Sequence, residues 1–202
     1  FYVESSPSPP VTHLLLRGKA NSPGPAVEPG VPGVLTESQP RFLAPTAKTT
    51  QRRLSLARWI TDKTNPLTPR VIVTRVWQWH FGRGIVATPS DFGKMGQPPS
   101  HPQLLDWLAT GFVADGWKIK NLHRLIMNSA TYRQSSKHGN KRHLADDPNN
   151  RLLWRMNRRR LEAEALWDAV HASAGTLNPA MGGRPVVPPL ADDEIASLRE
   201  KW

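Results

Sequence analysis

Cysteine is absent from the 202-residue chain. That excludes disulfides, thiolate zinc sites and covalent haem attachment through C-x-x-C-H within it. It leaves the redox compartment open, because a cysteine-free domain is stable anywhere. Long apolar runs are missing as well, and no stretch approaches the roughly 20 residues that cross a bilayer. The opening FYVESSPSPP lacks a basic segment followed by an apolar one, so no signal peptide is read there. Nucleophile and phosphate-binding signatures are also lacking: there is no G-x-S-x-G elbow, no P-loop and no G-x-G-x-x-G. Nothing in the sequence advertises a reaction, although an enzyme stays open.

What is present is tryptophan, proline and positive charge. Trp77, Trp79, Trp107 and Trp117 fall within one stretch of the chain, between Asn65 and Ser136, among Gly breaks and spaced Arg and His. Trp carries a large area to bury, so this density implies a packed unit rather than a linker. The length suffices for one domain with a sizeable core. Twenty prolines and only 38% hydrophobic residues point to much irregular chain. The net charge of +11 is uneven: residues 51–136 carry twelve basic and four acidic side chains, and residues 137–160 carry eight and two. Residues 161–202 reverse the balance, with three basic and seven acidic. A basic middle beside an acidic tail implies internal pairing or an anionic partner. Nucleic acid, an acidic polysaccharide and an acidic protein all satisfy such a field.

The pattern predicts a mainly α fold: an irregular helical domain with an extended Pro/Gly-rich N-terminal arm and at most short strands. Residues 1–50 are read as the arm or a linker, with VTHLLLRG (Val11 to Gly18) a short strand. In the following NSPGPAVEPGVPGVL, alternating Pro and Gly should prevent any regular element, while Val27, Val31, Val34 and Leu35 favour an ordered arm. Helices are expected over Arg52 to Thr61 and from Thr68, as cap, to Gly82. In the second of these, the β-branched run Val71–Thr74 argues for a strand. Helical projection nevertheless gathers Val73, Val76, Trp77, His80 and Phe81 on one side. Ser100 and Gln103 have capping-box spacing before Leu104, Leu105, Leu108 and Phe112, with Gly116 as the stop. Asn121 is expected to cap a helix with Leu122, Leu125 and Ile126 on one face. Residues 134–150 read as an exposed loop, Arg158 to Ala174 as a long helix closed by Gly175, and Asp192 to Lys201 as a terminal helix.

Few residues carry chemistry. Glu164, Asp168 and His171 share a helical stripe that is a weak candidate for a divalent metal. Arg160, four residues before Glu164, offers an ion pair instead, and the expectation for the chain is no metal and no cofactor. His80, His101 and His123, with Asp91 or Asp106, would form an acid–base site only if the fold gathers them. Each alone is read more readily as a structural histidine. Arg155, Arg158, Arg159 and Arg160 form the best anion-binding feature, since guanidinium forks suit phosphate, sulfate and carboxylate. The competing reading is pairing with Glu162, Glu164 and Asp168 or with the acidic tail. Successive helices suggest helix-turn-helix binding of DNA, but the linkers are long and the HPQLLDWLATGF helix is poor in basic side chains.

The run NPLTPRVIVTRVWQWHFGRGIVATPSDFGKMGQPPSHPQLLDWLA, then GWKIKNLHRLIMNSATYRQSS, then NRLLWRMNRRRLEAEALWDAV, closely resembles the PSD1-type planctomycete domain of unknown function. The likeness covers about residues 52–183, and VTHLLLRG and PGPAVEPGVPGVL resemble the stretch that precedes that domain. Thr74 stands where the family usually has Asn, and Trp167 where it usually has Arg, which weakens any chemical role at those positions. The resemblance implies a fragment of a large exported protein of the cell envelope, found beside planctomycete cytochrome-C-like domains. It implies that residues 184–202 begin an element continuing past this C-terminus, and that any haem c belongs to a separate domain. It brings no catalytic residues. The expected function is therefore an accessory module binding an anionic polysaccharide or another domain of the same polypeptide. A glycan-processing hydrolase or metal-assisted enzyme is the alternative, and a nucleic-acid-binding domain the second.

Overall fold

The computed structural model describes residues 7–8, 11–137 and 139–183. The chain forms two units, residues 1–158 and residues 159–202. Among the described residues there are seven α-helices and one two-stranded sheet, a mainly α fold.

The first unit begins with an antiparallel hairpin, β1 (Thr12–Leu15) and β2 (Pro23–Val27), in register Thr12↔Val27 and His13↔Ala26. β2 lies inside the Pro/Gly run that was expected to hold no regular element. It forms because an edge strand tolerates a missing N–H, and because Gly24 lets the strands approach: a Cβ there would sit 2.8 Å from the Leu14 carbonyl oxygen. Beyond the hairpin the arm is ordered. Gln39 accepts from Val31 N at 2.8 Å and donates to Val31 O at 2.9 Å, which holds Val31 at 8% exposure. Leu43 N donates to Ser55 Oγ, and Gln51 Nε2 to Ala44 O, tying the arm to α1 (Arg52–Ile60).

α2 (Thr68–Phe81) is helical despite its β-branched run. Burial decides this, since Val73 and Thr74 are fully buried with Val76, Trp77 and Phe81 on the predicted face. Its N-cap position falls on Leu67, not Thr68, and the capping bonds come from Asn65 two residues earlier. Asn65 Oδ1 accepts from Leu67 N, Thr68 N and Thr68 Oγ1, reaching donors that the first turn leaves orphaned. Pro69 sits in that turn, where its missing N–H costs nothing. Gly82, at φ 82°, ends the helix.

α3 (Pro102–Ala114) packs against α2 through Leu105, Leu108, Ala109 and Phe112. Ser100 makes no capping box; its N–H and hydroxyl both go to Ile85 O. The helix closes in a Schellman turn, with Gly116 N to Val113 O and Trp117 N to Phe112 O. The Phe112 and Trp117 rings pack edge-on at 5.3 Å across that turn. α4 (Ile119–Asn128) starts two residues before Asn121, which bonds Asp115 Oδ2 instead of capping. Leu122 and Ile126 close the core, whereas Leu125 faces solvent. Ser129 caps the single turn α5 (Ala130–Arg133) by accepting from Tyr132 N. Within the expected loop lies α6 (Lys141–Asp146), capped by Asn140.

In the second unit, α7 spans Ala163–Ser173, so the helix expected from Arg158 begins five residues later. It ends in a Schellman turn at Gly175, as expected, with Thr176 N bonded to His171 O. Leu166, Trp167 and Val170 are exposed within this unit. The helix expected over Asp192 to Lys201 lies outside the described residues.

Candidate functional site

Two irregular segments meet at the C-terminal end of α2. The first, residues 83–100, returns toward the core and buries Ile85 and Val86. It is shaped by Thr88, whose hydroxyl donates to Asp91 O at 2.7 Å and accepts from Gln97 N at 2.9 Å. The approach is close enough that a Cβ on Gly96 would lie 2.2 Å from Asp91 O. The second segment, residues 147–157, is a knot of side-chain-to-backbone bonds. The Asp147 carboxylate accepts from Arg151 N and Leu152 N, while Trp154 Nε1 donates to Asp147 O. Asn150, buried and at φ 51°, donates to Arg155 O and Asn157 Oδ1. Asn157 Nδ2 in turn donates to Phe81 O at 2.8 Å, fastening the knot to α2 across 76 positions of sequence.

Between the segments lies a cleft of about 70 Å³. Trp77, Ile85 and Leu153 supply its apolar surface. Its polar lining is Arg83, Arg151, Gln97, Ser100 and the amides of Asn149, Asn150 and Asn157. Among the described residues no carboxylate lines it. Arg83 Nη2 is steadied by Gln97 Oε1 at 3.3 Å. The Asn150 and Asn157 amides are engaged in the bonds of the second segment, so the exposed guanidinium groups of Arg83 and Arg151 are the charged groups of the lining, a setting for one anionic group.

The sequence-predicted residues distribute differently. His80 and His123 come together: His80 Nε2 lies 2.7 Å from His123 Nδ1, joining α2 to α4. The ring of Tyr132 packs edge-on against His80 at 5.4 Å. One imidazole must donate and the other accept, so the contact holds a single proton between them. His101 bonds Ser100 through Nδ1 at 2.9 Å, and Asp91 accepts from Gly93 N in an exposed turn. Asp106 makes an ion pair with Arg70 at 2.8 Å on the surface.

The four arginines divide between the units. Arg155 lies over the Trp154 ring at 4.7 Å and exchanges backbone bonds with the Asn150 amide, a structural use of that residue. Arg158 is exposed at the end of the first unit, and Arg159 and Arg160 are exposed at the start of the second. Arg160 precedes α7 and therefore shares no helix turn with Glu164. Within the second unit, His171 Nδ1 meets Thr176 Oγ1 at 2.8 Å and its ring lies 4.7 Å from that of Trp167. Glu164, Asp168 and His171 do not form a metal-holding group, and no set of three such ligands is found among the described residues.

The residues that build the cleft carried no local signal. Arg83 and Gly84 stand in a short GRG loop and Asn150 in an Asn pair, and only the fold brings them together. The Asn149–Asn150 pair is compatible with the positive φ of Asn150 but by itself signals a turn, not a binding site.

In comparison with known families, the model for PSD1, a protein of unknown function (DUF1553), matches residues 52–201. No curated protein and no solved structure matches the chain.

Proposed function

The chain belongs to the PSD1 family of proteins of unknown function, and from that premise we propose that it is an accessory binding module that captures an anionic group between Arg83 and Arg151. The partner is an acidic polysaccharide or an acidic side chain on another domain of the same polypeptide. The setting is a larger exported, cytochrome-associated protein of the cell envelope, with any haem c held in a separate domain. The observation that carries this reading is the lining of the cleft: two exposed guanidinium groups, with no carboxylate among the described residues. The excess of basic residues over 51–160 adds a long-range field of the right sign.

Calorimetric titration of the full chain with a sulfated hexasaccharide tests the reading. Binding should weaken as NaCl rises from about 50 to about 300 mM, because the screening length shortens. Arg83→Ala and Arg151→Ala should each weaken it by about tenfold or more, the worth of one charge-assisted hydrogen bond. Binding that ignores both salt and these substitutions would refute the assignment.

The enzyme alternative has one observation in its favour, the His80–His123 contact beside Tyr132. It requires a substrate cleft at that pair, and hydrolysis of a glycan abolished by His123→Ala would support it over the binding module. Duplex DNA binding with a steep salt slope would favour the nucleic-acid reading instead.

A further inference from the structure

A second concavity lies in the first unit, between the ordered arm and α1. Its volume is about 830 Å³, within the range of roughly 300–1,000 Å³ typical of ligand sites. Its walls are held by specific bonds rather than by chance proximity. Leu43 N is fixed to Ser55 Oγ at 2.9 Å, Asn65 Nδ2 reaches Trp59 O at 3.3 Å, and Asp62 Oδ1 accepts from both N and Oγ1 of Thr64. Trp59 is half-buried in this groove, and four charged side chains line it: Glu37, Arg41, Arg58 and Asp62.

The chemistry differs from that of the Arg83–Arg151 cleft. Two carboxylates offset two guanidinium groups, so the groove has no net charge with which to draw an anion or a cation. It offers hydrogen-bond acceptors, fork-shaped donors and the hydroxyls of Thr36, Ser38 and Thr64 around an indole ring. A ligand that uses all of these is uncharged, carries hydroxyls that both donate and accept, and has one apolar C–H face for the ring. Those are the properties of a pyranose sugar. A hydrophobic peptide would leave the charged groups unpaired on desolvation, at a cost that selects against it. A nucleic acid would meet the two carboxylates with its phosphates.

We propose that the groove between the arm and α1 binds a neutral saccharide chain, with Trp59 as the stacking surface and Glu37, Arg41, Arg58 and Asp62 bonding the sugar hydroxyls. The site is independent of the anion cleft, and the two fail separately.

The test is calorimetric titration of the full chain with four neutral hexasaccharides: β-1,4-glucan, β-1,4-mannan, β-1,4-xylan and β-1,4-linked N-acetylglucosamine. At least one should bind, with an affinity that changes less than about twofold over the salt range that screens exposed charges. Trp59→Ala should weaken that binding about tenfold or more, as truncation of an aromatic anchor does. Trp59→Phe keeps a ring and should retain most of it, and Arg58→Ala, on an exposed side chain, should weaken it without disturbing the fold. Arg83→Ala should leave it unchanged. Failure of all four neutral chains to bind overturns the proposal, even where the sulfated chain binds and Arg83→Ala abolishes that binding. Neutral binding that survives both Trp59→Ala and Arg58→Ala overturns it as well.

Discussion

Replacing Asn150 should unfasten the segment that forms one wall of the anion cleft. Its side chain makes two short bonds, to Arg155 O at 2.7 Å and Asn157 Oδ1 at 2.8 Å, and one longer bond from Arg155 N at 3.3 Å. At about 1 kcal/mol for each good bond and half that for the long one, the buried amide contributes about 2.5 kcal/mol. The backbone adds a second contribution. Asn150 sits at φ 51°, where Asn is tolerated but Ala is strained by about 1 kcal/mol. Asn150→Ala should therefore cost about 3.5 kcal/mol. Asn150→Gly loses the same bonds and escapes the strain, yet gains about 0.4–1 kcal/mol of unfolded-state freedom. It should end up to about 0.5 kcal/mol more stable than the Ala variant. Urea unfolding at unchanged m-value reads both differences as midpoint shifts. A loss below about 1 kcal/mol for Asn150→Ala would refute the account of the knot. A glycine variant clearly less stable than the alanine one would refute the account of its backbone.

Three further outcomes follow from single contacts. Thr74→Val should stabilise by about 1 kcal/mol in thermal unfolding, because the fully buried Thr74 hydroxyl has no hydrogen-bond partner among the described residues; a loss of stability would show that the hydroxyl is satisfied. Gly84→Ala should destabilise by about 1–3 kcal/mol, since its Cβ would lie 2.6 Å from Val86 O and 2.7 Å from Thr74 Cγ2; an unchanged midpoint would show that the loop yields freely. Thr64→Val should raise the Asp62 pKa, which the Thr64 hydroxyl bond, and then the Thr64 backbone bond, hold below the ordinary 3.8. A depressed carboxylate stabilises the fold above its unfolded pKa and loses that stabilisation as pH falls through the folded one, so the variant should show less acid sensitivity below about pH 4. Titration of the Asp62 carboxyl carbon by NMR checks the sign, and an unshifted curve would contradict it.

The helices were legible because burial repeats at 3.6 residues: Val73, Val76 and Trp77 on α2, and Leu105, Leu108 and Phe112 on α3, lie where periodicity placed them. Their C-terminal stops were equally clear, because Gly116 and Gly175 occupy the left-handed position of a Schellman turn that few other residues adopt. The N-termini were not. Thr68 and Ser100 had the right chemistry for caps, but Asn65 reaches the α2 donors from three residues back and Ser100 is drawn to Ile85 O. Local spacing does not register such competition. The early start read for α7 has a similar origin: Arg158 to Leu161 suit a helix by propensity, yet the first helical turn begins after Glu162. At the candidate sites, the meeting of His80 with His123 spans 43 positions and that of Asn157 with Phe81 spans 76, distances over which no local pattern carries information.

The most direct measurement of the anion-binding claim is an NMR titration of the arginine Nε–Hε resonances of the full chain with a sulfated hexasaccharide. The account predicts that Arg83 and Arg151 shift first and together, saturate at one equivalent, and return toward their free positions when NaCl is raised to about 300 mM. Shifts led instead by Arg158, Arg159 and Arg160, with Arg83 and Arg151 unmoved, would contradict it.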